Sequence, residues 1–278
     1  MIFPSNAHTH TPYCDGISTI EEMIDAAEKN EFVTLGFSGH ANQGFDSEYS
    51  MMDGRQQQYF EAIEEAKKTT NIKLYKGLEV ELTALPDCIE EAISQAEYIL
   101  GALHYCEVNI NGACIAYDGD PVLLGEYVDR VYHGDGMGLA TQYYDAYAEG
   151  NMELKPTILA HFDLIRKYAN QLSLFDENDL AYQRLASDAL AKMPLSSVLE
   201  INTGGMARGY LPSPYPTDAL LSQWLEMGGE VTLTSDCHNA KWLTFAFSEM
   251  IEKIRRIGYK RILYLGKGES LFDAYDLK

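Results

Sequence analysis

The chain has 278 residues, 46% of them hydrophobic, and carries 21 Lys and Arg against 42 Asp and Glu, a net charge of -21. That length buries a large core and suits one α/β barrel as well as two smaller domains. The acidity argues against non-specific binding of DNA or RNA, which needs basic surface to neutralise phosphates.

Taken in order, the chain opens on Asn6-Ala7-His8-Thr9-His10-Thr11, which reads as a strand end. Ser18, with Glu21 three residues later, is a capping-box pattern that starts a helix through Lys29, with Ile20, Met23, Ile24 and Ala27 on one face. Residues 32–38 read as a strand ending at His40, and a polar loop runs through Asn42 to Ser50. A helix follows over 53–69, with Tyr59, Ile63 and Ala66 on its apolar side. The strand Ile72–Leu82, the helix Pro86–Ala96 and the strand Tyr98–Leu103 come next. Residues 107–155 are rich in Gly, Tyr and Asp. They read as an insertion that helps to cover a site, with a helix from about Leu139 to Glu149 that carries Tyr143, Tyr144 and Tyr147. Regular alternation returns with the strand Thr157–Ala160, the helix Asp179–Met193, the strand Ser197–Asn202 and the helix Thr217–Met227. The strand Val231–Ser235, the helix Trp242–Ile257 and the strand Arg261–Leu265 close the pattern. Alternating strands and helices favour a parallel sheet with helices outside. No low-complexity linker divides the chain, so a single barrel-like domain over 1–278 is the simpler reading. No signal sequence and no bilayer-length apolar run is evident, which implies a soluble, cytoplasmic protein without a membrane partner.

The histidines carry the functional signal. Residues two apart in an extended chain point to the same side, so His8 and His10 can reach one metal ion. Alone the pair says little. Of the 7 histidines, however, His40, His104, His161 and His238 also follow short apolar runs. In parallel α/β folds the loops after the strands meet at one face, so these residues gather there with Asp15, Glu79 and Asp236. Imidazole and carboxylate donors suit Zn, Mn or Fe, and nine of them exceed the needs of one ion. Glu79 can bridge two ions through its two oxygens. Asp15 precedes Gly16, which is also an ordinary turn signal. Glu81 shares a side with Glu79 and reads as a solvated residue, and His133 as a loop residue. The 5 cysteines, Cys14, Cys88, Cys106, Cys114 and Cys237, include no Cys-x-x-Cys pair, and imply neither a disulfide framework nor a zinc knuckle. Arg166 and Arg208 are candidate phosphate clamps, because guanidinium suits two-point recognition of phosphate. Gly204-Gly205 gives Arg208 a setting where backbone comes close to a ligand, whereas Arg166 also suits a surface helix start.

The set His8-Thr-His10, Ser38-Gly-His40, Gly77-Leu-Glu79, Gly101-Ala-Leu-His104, Ala160-His161-Phe-Asp-Leu-Ile-Arg-Lys-Tyr168, Glu200-Ile-Asn202 and Ser235-Asp236-Cys-His238 resembles the polymerase and histidinol phosphatase (PHP) superfamily. Within it the chain looks like the stand-alone histidinol-phosphate phosphatases. The resemblance implies a distorted (β/α)7 TIM-like barrel with three divalent metal ions. One would take His8, His10, Glu79 and Asp236, a second Glu79, His104 and His161, and a third Asp15, His40 and His238. Some relatives have histidine at the Asp15 position. The implied reaction is hydrolysis of L-histidinol phosphate to L-histidinol and phosphate in histidine biosynthesis, by a hydroxide bridging two of the ions. Arg166 and Arg208 would hold the phosphate, and Asp236 or His238 would assist the leaving group. The expected partner is the small substrate alone, with the chain a monomer or weak homo-oligomer. Rival readings are a PHP phosphoesterase acting on a nucleotide, phosphotyrosine or a phosphodiester, an amidohydrolase-type metal hydrolase, and a barrel with a dead site.

Overall fold

The computed structural model describes residues 3–108 and 114–277. Its strands are β1 (Thr34–Phe37), β2 (Lys73–Glu81), β3 (Tyr98–Ala102), β4 (Tyr105–Val108), β5 (Cys114–Ala116), β6 (Ile158–Leu159), β7 (Val198–Asn202), β8 (Val231–Thr234), β9 (Arg261–Leu265) and β10 (Phe272–Asp276). Its α-helices are α1 (Ile20–Lys29), α2 (Arg55–Ala66), α3 (Pro86–Gln95), α4 (Pro121–Tyr132), α5 (Gly136–Leu154), α6 (Leu180–Leu190), α7 (Gly204–Ala207), α8 (Asp218–Glu226) and α9 (Phe247–Ile257).

One sheet runs β1-β2-β3-β6-β7-β8-β9-β10. Its first seven strands are parallel, and β10 pairs antiparallel with β9. β1, β3, β7 and β8 are buried at every residue, as strands must be when both faces of a parallel sheet are covered. The parallel sheet is the one the alternating pattern predicts, and it curls as the family resemblance implies. Its closure depends on residues 4–10. On one side Val33, Gly36 and Ser38 donate their N–H groups to the carbonyls of Pro4, Asn6 and Thr9. On the other, Cys237 N–H donates to His8 O and His10 N–H to Cys237 O. The expected strand at His8 is thus only an isolated parallel bridge, Thr9 to Cys237, wedged between β1 and the end of β8. Gly36 and Gly77 make room for this packing. A Cβ on Gly77 would lie 2.3 Å from the Tyr98 ring, and one on Gly36 2.2 Å from its hydroxyl. That hydroxyl donates to Ala7 O at 2.7 Å and pins the segment that carries His8.

Local chemistry sets the helix ends. The capping box of α1 lies one residue later than the sequence suggests: Thr19 Oγ1 accepts from Glu22 N–H, and Glu22 returns the bond to Thr19 N–H. Ser18 instead accepts from Ala240 N–H. The buried face of α1 is Ile20, Met23, Ile24 and Ala27, as periodicity predicts. The expected helix from Trp242 is split into a 3-10 turn, Ala240–Trp242, and α9, which begins only at Phe247.

Between the paired strands β3 and β6 the chain makes the β4–β5 hairpin, α4 and α5. Only α5 has a counterpart among the expected elements, and it runs 19 residues. Residues 109–113 of the expected insertion lie outside the described residues. Among the described residues no helix is long and apolar enough to cross a membrane.

Candidate active site

The strand ends bring the predicted donors together around Glu79, which sits near the end of β2 and is 2% exposed. Its two oxygens face different neighbours. Oε1 lies 2.9 Å from His161 Nε2 and 3.5 Å from His104 Nε2. Oε2 lies 2.9 Å from His40 Nδ1, 3.3 Å from His8 Nε2 and 3.5 Å from His10 Nε2. Asp236 Oδ1 is 3.3 Å from His10 Nε2 and 3.7 Å from His8 Nε2. Asp15 stands across from them, with Oδ1 3.3 Å from His10 Nδ1 and 3.6 Å from His40 Nε2, and Oδ2 3.0 Å from His238 Nε2. All nine predicted donors thus meet in one cluster. His133 lies apart, exposed at the end of α4 with φ +54°.

The donor atoms fit divalent cations. Among the described residues three sets have ligand atoms mutually within 4.8 Å: His10, Asp15, His40 and His238; His8, His10 and Asp236; and His40, Glu79 and His104. His8 Nε2, His10 Nε2, Asp15 Oδ1 and Glu79 Oε2 are buried without a hydrogen-bond partner, a costly state for polar atoms unless something else satisfies them. They converge on the same space, and N and O donors of this kind suit ions such as zinc.

Electrostatics agree. In the metal-free chain burial opposes ionisation of His8, His10, Asp15, His40, Glu79, His104 and Asp236, and neighbouring opposite charges overcome it. His8 is pushed up to about 10 by Glu200, Glu79 and Asp236 against its burial. His10, His40 and His104 are likewise raised by carboxylates. Glu79, Asp15 and Asp236 are held well below the usual carboxylate range despite burial, by His40 and its neighbours for the first two and by Arg208 and His8 for Asp236. His238 differs, since burial and then His10 push it down. The cluster is built around positive charge, and without ions its imidazoles supply it.

Two carboxylates support the donors from behind. Glu200 Oε1 lies 2.6 Å from His8 Nδ1 and accepts from Thr234 Oγ1, while its Oε2 accepts from His161 N–H at 2.6 Å. That contact makes Nδ1 the protonated nitrogen of His8 and turns Nε2 to the cluster. Glu81 is not the solvated residue expected. It is 3% exposed, and its Oε2 accepts from His104 N–H at 2.8 Å and lies 3.0 Å from His104 Nδ1. Strand alternation put Glu81 on the right side, but only the fold brings His104 against it.

The cluster floors a cavity of about 570 Å³. Arg208 lines it, donating Nη2 to Asp236 Oδ2 and Nη1 to Asp236 O, each at 3.0 Å. Arg166 does not. Its side chain is 3% exposed, with Nε on Glu177, Nη1 on Asp163 and Pro214 O, and Nη2 on Ser213. Its neighbour Lys167, which sequence reasoning passed over, reaches the cavity instead, with Nζ against Asp118 O at 2.5 Å and over the Tyr210 ring at 4.3 Å. Asp46, Glu48, Asp118 and Asp120 also line the cavity, with Asp118 Oδ2 3.4 Å from Lys167 Nζ.

A curled parallel sheet with a cluster of metal-type donors at the carboxyl ends of its strands defines an α/β-barrel protein with a metal site. Residues 6–204 match the PHP domain family, and the chain belongs to it. It is 26% identical over 268 residues to a protein of Deinococcus radiodurans named probable histidinol-phosphatase, covering 93% of this chain and 95% of that one. A Schizosaccharomyces pombe protein of the same name is 21% identical over 285 residues, covering 95% and 90%. The crystal structure of histidinol phosphate phosphatase from Lactococcus lactis, complexed with zinc, L-histidinol and phosphate, superposes with a TM-score of 0.68 at 18% identity. It covers 95% of this chain and 97% of that one.

Proposed function

We propose that this chain is a metal-dependent phosphomonoesterase that hydrolyses L-histidinol phosphate to L-histidinol and phosphate. The observation that carries the reading is the Glu79 carboxylate, whose two oxygens face separate sets of imidazoles beneath a cavity lined by Arg208. The names of the two full-length relatives and the ligands of the Lactococcus lactis enzyme support the substrate.

In this reading three ions would be held, one by His8, His10, Glu79 and Asp236, one by Glu79, His104 and His161, and one by Asp15, His40 and His238. Zinc, manganese and iron all suit the donors. Bound there, such ions lower the pKa of water and offset phosphate charge. The chain's own residues do the rest. Arg208 presents a guanidinium to the phosphate oxygens and keeps Asp236 oriented. Lys167 adds a second cation at the cavity wall. The lining carboxylates Asp46 and Glu48 suit the amine end of the substrate, while Asp118 is paired with Lys167. Asp236, held ionised, and His238, whose pKa is lowered, have no proton of their own to give; beside Arg208 they would orient the water that protonates the leaving alkoxide.

Steady-state kinetics of purified chain loaded with manganese or zinc tests the proposal against a panel of histidinol phosphate, a nucleotide, phosphotyrosine and a dinucleotide. Histidinol phosphate should show the highest kcat/KM. A higher value for any other ester would transfer the site to that substrate.

A further inference from the structure

His161 has φ +23°, on the left-handed side that a residue with a Cβ seldom adopts. Such a conformation persists only where the surroundings over-determine it. Here the backbone is held from three directions, all in the interior. His161 N–H donates to Glu200 Oε2 at 2.6 Å. The carbonyl before it, Ala160 O, accepts from the Tyr147 hydroxyl at 2.7 Å. The carbonyl after its ring, Phe162 O, accepts from the Tyr143 hydroxyl at 3.2 Å.

Tyr143 and Tyr147 are one helical turn apart on α5, and both are fully buried. The insertion lines the cavity through residues between Cys114 and Leu123, whereas the buried tyrosines of α5 face the wall of the barrel behind His161. Phenylalanine would fill the same space, and a buried hydroxyl is costly unless bonded, so the two hydroxyls mark a polar task. β6 is only two residues long, and the sheet holds the chain just past it through Ala160 N–H to Gly101 O, one peptide short of His161.

We infer that α5 is a positioning element for the metal centre: the Tyr143 and Tyr147 hydroxyls, together with Glu200, lock the turn at His161 so that its Nε2 meets Glu79. The inference rests on the metal reading above. Tyr144 provides an internal control. It is equally buried on the same helix, but its hydroxyl pairs with that of Tyr182 at 2.9 Å, away from the His161 peptide.

The test measures ion binding rather than turnover. Metal-free parent, Tyr143→Phe/Tyr147→Phe and Tyr144→Phe chains are titrated with Mn2+ and Zn2+ against a chromophoric chelator, with thermal melts alongside. The double variant should bind its weakest ion about 10–100-fold less tightly than the parent, the effect expected when the support behind a ligand is lost. Tyr144→Phe should lose melting temperature yet keep the parent's ion affinity. Parent-like affinity in the double variant, or an equal loss in Tyr144→Phe, overturns the inference while leaving the metal reading intact. A parent chain that takes up neither ion removes both. Should the double variant not fold, Tyr147→Phe alone is judged by the same criteria.

Discussion

At the scale of single residues the cluster behaves as a competition between protons and metal ions. In the metal-free chain His8 is raised to about 10, because its burial is outweighed by Glu200, Glu79 and Asp236. An ion at Nε2 must displace that proton. Affinity should therefore rise with pH towards 10 and weaken on acidification by about tenfold per unit for each proton displaced. Calorimetric titration in buffers of different ionisation enthalpy should show net proton release on Zn2+ binding at pH 7; proton uptake would contradict the assignment. Arg208 yields a second expectation. Lysine retains the charge but not the two-point geometry, and Asp236 loses the donor at 3.0 Å. Arg208→Lys should lower kcat/KM for histidinol phosphate by about 10²–10³-fold, with a parent-like melting temperature. The residue scale is also where sequence reading reached its limit. Arg166 and Lys167 occupy a five-residue 3-10 helix, Leu164–Tyr168, in which neighbours point about 120° apart. One of two adjacent cations must face the cavity and the other the interior. Only packing decides which, and here Asp163, Glu177 and Ser213 draw Arg166 inward.

At the scale of elements, most of the site was legible because one rule, donors at the ends of parallel strands, places His40, Glu79, His104, His161 and Asp236 together whatever the helices between them do. The regular βα units were legible for a related reason, since strand and helix periods differ and short loops leave little ambiguity. The hairpin of β4 and β5 and the helix α4 were not. β5 is partly exposed at all three residues and gives no alternation to read, whereas α4 was missed although Asp120-Pro121 is a helix-start signal and Leu124, Tyr127 and Val128 form one buried face. Glu81 and Glu200 escaped as supports because their partners are far off in the chain, 23 residues away at His104 and 192 at His8. Element packing does imply one mutational outcome. A methyl group on Gly77 would fall 2.3 Å from the Tyr98 ring, where β2, β3 and the N-terminal segment meet and backbone has no room to give. Gly77→Ala should cost about 1–3 kcal/mol of stability through overpacking, seen as a lower denaturant midpoint. Because Tyr98 also holds Ala7 O, the loss should extend to weaker metal uptake at His8.

At the scale of the whole molecule the donor cluster and the closure of the barrel are one structure. Its donors come from the N-terminal segment, from the ends of β1, β2, β3 and β6, and from the turn after β8, so ions placed there would join the stretch that closes the ring to the strands on both sides of it. The backbone alone supplies little at that seam: the isolated Thr9–Cys237 bridge, made by the two bonds Cys237 exchanges with His8 and His10, and Ile17 N–H to His238 O beside it. By contrast β2 and β3 pair over five residues. Ligand binding to the folded state alone adds about 4 kcal/mol when free ion stands at a thousand times its dissociation constant. For a chain of this size that corresponds to a rise of roughly 10 °C in melting temperature. Chelation should reverse the rise, and hydrogen exchange should show where it acts. The amides of His10 and Cys237 should lose protection first on removal of metal, while those of β2 and β3 stay protected. Uniform loss across the sheet would mean that the ions stabilise the fold without fastening the seam. Unchanged exchange at His10 and Cys237 would mean that the backbone closes the barrel unaided.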